Sequence, residues 1–172
     1  KLIKELIAVQ LVVEESAEQF AFRHALTRHA VYSSLLARER KAMHHRIAEA
    51  MEWLYPEGNL LDAHLADLAY HYYEAGAWAK ALEYSRQAGE KAQAVYAPRA
   101  AVEHFTHALE SAQQLSAAPP PNLYHARGQA YETLGEFEQA RADYESAQKA
   151  ARVAGDRKAE WQALLDLGML WA

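Results

Sequence analysis

Nine histidines are the residues most able to do chemistry in this chain of 172, which has no cysteine. His104 and His107 stand three apart, one helical turn, where two imidazoles can share a face; His44 and His45 are adjacent and point apart on a helix. A metal site needs a third ligand at matching spacing. None follows, so these histidines are expected at the surface. Ser33-Ser34 near His29 offers a hydroxyl and a base, but no acid is placed to orient the ring and no nucleophile-elbow frame surrounds the serines. The paired carboxylates Glu14-Glu15 fall in an expected turn rather than a cleft. No G-x-x-x-x-G-K-[ST] phosphate loop occurs. The segment is therefore expected to be non-catalytic and not to turn over ATP by itself. Without cysteine there is neither a disulfide framework nor a thiolate metal site, which fits a reducing, cytoplasmic setting.

Charge divides the chain. From Arg23 to Arg46 six Lys/Arg (Arg23, Arg28, Arg38, Arg40, Lys41, Arg46) face one acid, Glu39, a net +5; the remainder carries −10, for −5 overall. Such asymmetry suggests two modules with different partners. The basic stretch could touch nucleic acid, but the acidic remainder opposes phosphate binding, so an intramolecular interface or a solvated face is expected there. The longest apolar run, near Leu2–Val13, is broken by Lys4 and Glu5 and is too short to span a bilayer. The chain begins at Lys1 and stops inside an apolar pattern, as expected of a piece of a longer polypeptide.

The elements that must position these groups are mostly helices. Residues 1–8 read as a helix end. Val9–Glu14 and Gln19–Arg23, around the turn 15–18, suit a β-hairpin. Helices are expected at 24–36 and 38–54, with apolar residues at three- and four-residue steps. Pro56-Glu57-Gly58-Asn59 reads as a break, giving an N-terminal module at 1–55, a linker at 56–61 and a second module at 62–172. In the latter, helices are expected at 62–74, 78–95, 98–115, 122–134 and 137–154, with a last one through Trp161 and Leu167. Pro98 suits a first turn, Asn122 and Asp156 an N-cap, and Gly155 a C-cap.

Gly89, Gly128 and Gly168 recur at intervals of 39 and 40 residues. A fixed period of this size signals a stacked helical repeat. Small residues at Ala81, Ala101 and Ala140, and again at Ala88, Ala108 and Ala147, would let helix axes approach. Phe105 and Tyr144 would fill the space between neighbours. An all-α helical-hairpin solenoid is the expected fold of 62–172. Helical repeats present extended binding surfaces. Counting from the glycines, the first helix of each pair should turn Glu83, Arg86 and Glu90, then His125, Gln129 and Glu132, toward the concave side, with Tyr70 and Tyr73 extending the groove for a protein or peptide.

The pattern resembles the tetratricopeptide repeat. Gly128 is followed by Tyr131, Ala140, Tyr144 and Ala147, the family's small, aromatic, small, aromatic, small series. The same offsets from Gly89 give Ala92, Ala101, Phe105 and Ala108, and from Gly168 give Trp171. The step exceeds the usual period of about 34 residues and is similar to the longer repeats of bacterial activators of the maltose-regulator type. Upstream, Phe20-Ala21-Phe22-Arg23-His24-Ala25-Leu26 followed by an amphipathic and a basic helix resembles the end of the winged-helix module of bacterial STAND-type signalling ATPases, including large LuxR-type regulators. The resemblance implies a partial winged-helix module before the repeats. It also implies an NTPase core elsewhere that binds ATP or ADP, and a relay from repeats to core. In that class a histidine of a Met-His-Asp motif contacts the ADP β-phosphate. By position it is His24, with Arg23 in place of Met and Ala25 in place of Asp. Two other readings stay open: a stand-alone adaptor whose first helices cap the solenoid, and a DNA-binding winged helix.

Overall fold

The computed structural model describes residues 2–16, 19–55 and 59–170. Packing divides the chain into two compact units, one running to Ala42 and one from Met43.

The first unit opens with α1 (Leu2–Ala8), a two-stranded antiparallel hairpin of β1 (Val12–Glu14) and β2 (Phe20–Phe22), α2 (Ala25–Ser34), and the start of α3 (Ala37–Leu54). The strands pair Val12 with Phe22, Val13 with Ala21 and Glu14 with Phe20. Glu14 thus belongs to a strand rather than to the turn. Arg23 closes the ladder: its backbone N–H donates to Leu11 O at 3.0 Å, and its Nη1 donates to Gln10 Oε1 at 3.1 Å. Gln10 itself adopts φ 59° to turn the chain out of α1. This unit has little interior. Val12 is buried, whereas α2 buries none of its residues and leaves Leu26 exposed.

The second unit continues α3 and adds α4 (Asn59–Ala63), α5 (Leu65–Ala75), α6 (Trp78–Ala94), α7 (Pro98–Gln114), α8 (Pro121–Thr133), α9 (Phe137–Ala154) and α10 (Arg157–Met169). The division at Ala42 falls earlier than the linker expected at 56–61. The cause is that the second half of α3 buries His44 and Ala48 and joins the repeat core, where Ala48 clusters with Leu65, Leu68 and Tyr72. Of that linker, residues 56–58 lie outside the described residues and Asn59–Leu61 begin α4. The helix expected at 62–74 is split at His64, which separates α4 from α5. Asn122 is not the cap of its helix: Pro121 takes the first position, where a missing N–H costs nothing, and Pro120 precedes it. Gly155 does end α9 in the left-handed conformation, φ 70°, and Asp156 accepts from the Ala159 N–H at 3.0 Å to start α10.

From α5 to α10 each helix packs on the next in sequence, and the alternate pairs α5 with α7, α6 with α8 and α8 with α10 also touch. The result is two layers, α5 and α7 in one, α6, α8 and α10 in the other. Close approach is decided at two glycines. A Cβ built on Gly89 would sit 2.6 Å from the Phe105 ring, and one on Gly128 would sit 2.6 Å from the Tyr144 ring. Both rings are fully buried. Each lies flat where a side chain would otherwise stand, so the aromatic of the second helix occupies the volume vacated by the first.

Polar ties then fix the helices relative to one another. Arg127 on α8 forks onto Asp143 on α9, Nε to Oδ2 and Nη2 to Oδ1, both at 2.7 Å, while its Nη1 donates to Thr106 Oγ1 on α7 at 3.0 Å. Burial opposes the Arg127 charge, but the Asp143 carboxylate outweighs it, and the guanidinium is held above its ordinary value. The pair is three helices' shared anchor, and removing one partner would leave a buried unpaired charge. Tyr144 Oη donates to Glu132 Oε2 at 2.7 Å, and Tyr84 Oη and Lys80 Nζ both reach Glu52 Oε1, at 2.5 and 2.8 Å. The buried tyrosines so keep their hydroxyls satisfied.

The glycines make a prediction of opposite signs. Gly128→Ala should destabilise by about 1–2 kcal/mol, because overpacking by one methyl exceeds the helix-propensity gain. Gly168→Ala, with nothing among the described residues within 4 Å of the added Cβ, should be neutral or stabilise by about 0.5 kcal/mol. Urea denaturation of the two variants measures both; equal shifts would remove the role assigned to the Tyr144 ring.

Candidate binding cleft

An open cleft of about 660 Å³ lies between the C-terminal ends of α6 and α8. Gln93 and Ala94 line one wall, Gln129, Glu132 and Thr133 the other, and Tyr96 and Pro98 the α6–α7 turn. Tyr96 is 89% exposed and holds φ 56°, so its ring stands out beside the opening. Gln93 Nε2 donates to Ala126 O on α8 at 2.8 Å, which ties the two walls together. Its polar groups are amide, carboxylate and hydroxyl, which can pair with peptide N–H and C=O, and they stand beside apolar Ala94, Pro98 and Ala130. Glu132 is already engaged by the Tyr144 hydroxyl, which fixes its carboxylate at the wall.

Of the groove residues expected from sequence, Gln129 and Glu132 come together here. Glu83, Arg86 and Glu90 lie along α6, where Glu83 Oε1 accepts from Gln87 at 3.4 Å and Arg86 pairs with Glu90 at 2.6 Å; none of the three lines the cleft. His125 is half-buried at a separate recess of about 220 Å³ with Asn122, Asp156 and Lys158. Its Nε2 lies 2.8 Å from Asp166 Oδ2 on α10, off the direction of a hydrogen bond.

Tyr70 and Tyr73 belong to the other layer. Tyr73 Oη donates to Glu110 on α7 at 2.5 Å, and its ring stacks on His107 with centroids 4.2 Å apart. The Glu110 hydrogen bond, followed by burial, pushes the Tyr73 phenol up to about 12. The alternation of packed helices explains the split: α5 is one helix out of phase with α6 and α8. Sequence reasoning passed over Gln93, Ala94 and Thr133. The signal was present, because Gln93 and Ala94 stand at the same offsets from Gly89 as Glu132 and Thr133 do from Gly128.

The histidines are not all at the surface. His44 is 4% exposed, and its Nδ1 lies 2.8 Å from Nδ1 of His71 on α5. His104 is half-buried, with Nδ1 unpartnered, and burial pushes its pKa down. The His44–His71 contact was invisible in sequence because the two residues are 27 apart. Among the described residues no three His, Cys, Asp or Glu side chains converge as metal ligands. Ser33 Oγ comes within 3.4 Å of His29 Nε2 on the exposed surface of α2. Arg40 of the basic stretch is spent on structure, donating to Leu35 O at 2.7 Å and lying over the Tyr32 ring. His24 is exposed at the start of α2; its side chain makes no capping bond, and its backbone carbonyl accepts from Thr27 and Arg28.

An N–H···N bond between two imidazoles needs one ring to donate and the other to accept, so it is lost when both are protonated. Burial, the larger cause for each, pushes the pKa of His44 and of His71 below 6.5; the His44 charge lowers His71 further, while Glu74 opposes at both and Asp67 at His71. A base whose pKa is depressed by folding contributes stability above its unfolded value and loses it as pH falls below that value. Tm should therefore drop between pH 7.5 and pH 5, and His44→Phe should flatten that drop. A pH profile unchanged by the substitution would dissociate the pair from acid sensitivity.

No helix among the described residues is long and apolar enough to cross a membrane. A search of curated proteins and a search of solved structures each gave no match. Residues 121–153, the α8–α9 hairpin with its Gly128, Tyr131, Ala140, Tyr144 and Ala147, match the sequence model of the tetratricopeptide repeat. Repeats of this type are generally non-catalytic scaffolds for protein–protein contact, and the matched α8–α9 hairpin is set in a longer helical array.

Proposed function

We propose that the chain is the interaction and regulatory arm of a bacterial STAND-type signal-transduction ATPase, and that the α6–α8 cleft captures a segment of a partner protein or an inducer. The carrying observation is the cleft itself. It is lined by amides and a carboxylate, on helices held in place by the glycine–aromatic contacts. Such a surface recognises extended or helical peptide rather than transforming a substrate.

The regulatory context rests on chain order: hairpin, two helices, then repeats, the arrangement found after the NTPase core of these ATPases. In this reading the first 55 residues are the end of a winged-helix module. Partner capture at the repeats shifts the core between ADP-bound and ATP-bound states. His24, exposed at the head of α2, meets the ADP phosphate in the closed state beside backbone donors of the helix start. The setting is cytoplasmic, and DNA contact plays no part. A stand-alone adaptor would use the same cleft without a nucleotide-binding core.

Two experiments test the two layers of the reading. A displayed random-peptide library selected on the purified protein should enrich a common motif, and Gln129→Arg should weaken the winners at least about tenfold, roughly 1.4 kcal/mol. Peptides that bind the variant equally would place recognition elsewhere. In the polypeptide that includes the NTPase core, His24→Ala should speed ADP release; an unaltered release rate would remove His24 from the switch and favour the adaptor.

A further inference from the structure

The turns between successive helices from α5 to α10 all close in one way. A left-handed residue donates its N–H to the carbonyl three before it, and the next N–H reaches the carbonyl five before. Gly135 and Glu136 bond in this way to Glu132 O and Tyr131 O, and Tyr96 and Ala97 to Gln93 O and Ala92 O. Glycine holds the left-handed position at Gly76, Gly135 and Gly155, while Tyr96 (φ 56°) and Ser116 (φ 54°) hold it in the other two turns. Tyr96 follows Gly89 at the interval at which Gly135 follows Gly128, so a tyrosine stands in one repeat where a glycine stands in the next.

A bulky side chain in this conformation costs energy that glycine avoids. Tyr96 gains no packing in return, being 89% exposed. Backbone strain of this kind is kept where it serves a site, and the site beside Tyr96 is the α6–α8 cleft that it lines.

That cleft is richer in acceptors than in donors. Gln93 Nε2 is spent on Ala126 O, which leaves the amide oxygen. The Thr133 hydroxyl donates to Gln129 O at 2.9 Å, which leaves its lone pairs. Glu132 has acceptors only; Tyr144 Oη takes Oε2 and fixes the group, and Oε1 remains. Among the described residues of the lining, Glu132 alone is charged. Acceptors, one negative charge and an exposed aromatic face are complementary to a cation that has many donors and no acceptor. Arginine is that group: its planar guanidinium carries five N–H donors, forks onto carboxylates and lies flat on aromatic rings. A lysine ammonium is a point charge without the plane.

We infer that the segment captured at the α6–α8 cleft presents an arginine, whose guanidinium lies between the Tyr96 ring and the Glu132 carboxylate. This rests on the cleft being the capture site, and the experiment separates the two. The isotope-labelled 172-residue protein is titrated by NMR with a capped peptide, Ala-Ala-Arg-Ala-Ala, and with the same peptide carrying lysine or citrulline, the neutral isostere of arginine. The amide signals of Gln93, Tyr96, Gln129 and Thr133 should shift and saturate with the arginine peptide, at a Kd on the order of 1–10 mM. The other two peptides should bind at least about fivefold more weakly. Glu132→Gln keeps an acceptor for the Tyr144 hydroxyl and should abolish the preference for arginine over citrulline. Tyr96→Gly should weaken the arginine peptide at least about fivefold and raise the urea midpoint of unfolding, because glycine relieves the turn.

Three peptides that shift the cleft equally leave it a capture site and overturn the arginine. No shift there with any of them up to about 50 mM also overturns the arginine, while peptides selected from the random library still decide capture. A Tyr96→Gly protein that binds unchanged, or that unfolds at lower urea, overturns the role of the ring.

Discussion

The contact between a bare glycine backbone and an aromatic ring sets the spacing of the helical array. At Gly89 with Phe105, and at Gly128 with Tyr144, a Cβ would stand 2.6 Å from a ring carbon, far inside van der Waals contact. Helix axes can close because one side supplies no side chain and the other supplies a flat one. The flanking alanines, Ala101 and Ala108 on α7, Ala140 and Ala147 on α9, are buried on the same stripe and keep the approach uniform along the helix. The spacing of α6 from α7 and of α8 from α9 inherits its geometry from these contacts, while the hydrogen bond from Gln93 to Ala126 O ties α6 to α8 across the cleft.

Apolar packing sets distance, while polar pairs set orientation. The fork from Arg127 to Asp143, extended to Thr106, spans α7, α8 and α9 and fixes their rotation in a way that alanine stripes cannot. The tyrosine that fills the Gly128 notch also sends its hydroxyl to Glu132, so the packing residue holds a cleft residue in place. One side chain thereby links the interior of the repeat to its binding wall. At the other end of the array, Glu52 gathers Lys80 and Tyr84, and His44 meets His71, so the second half of α3 is joined to the first repeat helices by charge and hydrogen bonds.

Helical periods, the hairpin and the glycine interval were legible in the chain because each is local: it rests on residues within a turn, or on a repeat copied along the sequence. Cap identity was harder. Asn122 is a good capping residue, yet Pro121 starts the helix one residue earlier because a proline pre-set for helical φ needs no donor there. The groove was half legible. Offsets from the glycines found Gln129 and Glu132, and the same offsets would have found Gln93. They misplaced Tyr70 and Tyr73, whose layer depends on how many helices intervene. Trp171, the aromatic expected after Gly168, lies outside the described residues, as do Pro56 to Gly58 of the expected linker.

Sequence alone determined that this is a helical repeat array with a short hairpin before it, and that its close contacts run through glycine and alanine against aromatics. Those properties follow from side-chain size and period, which need no third dimension. Tertiary structure decided which faces are covered and which are open. It brought His44 to His71 across 27 residues and put Tyr73 on Glu110 rather than in the cleft. The physical reason is that burial is a property of pairs of elements. A helix face carries the same residues whether or not another helix sits on it, and only the assembled layers show which neighbour arrived.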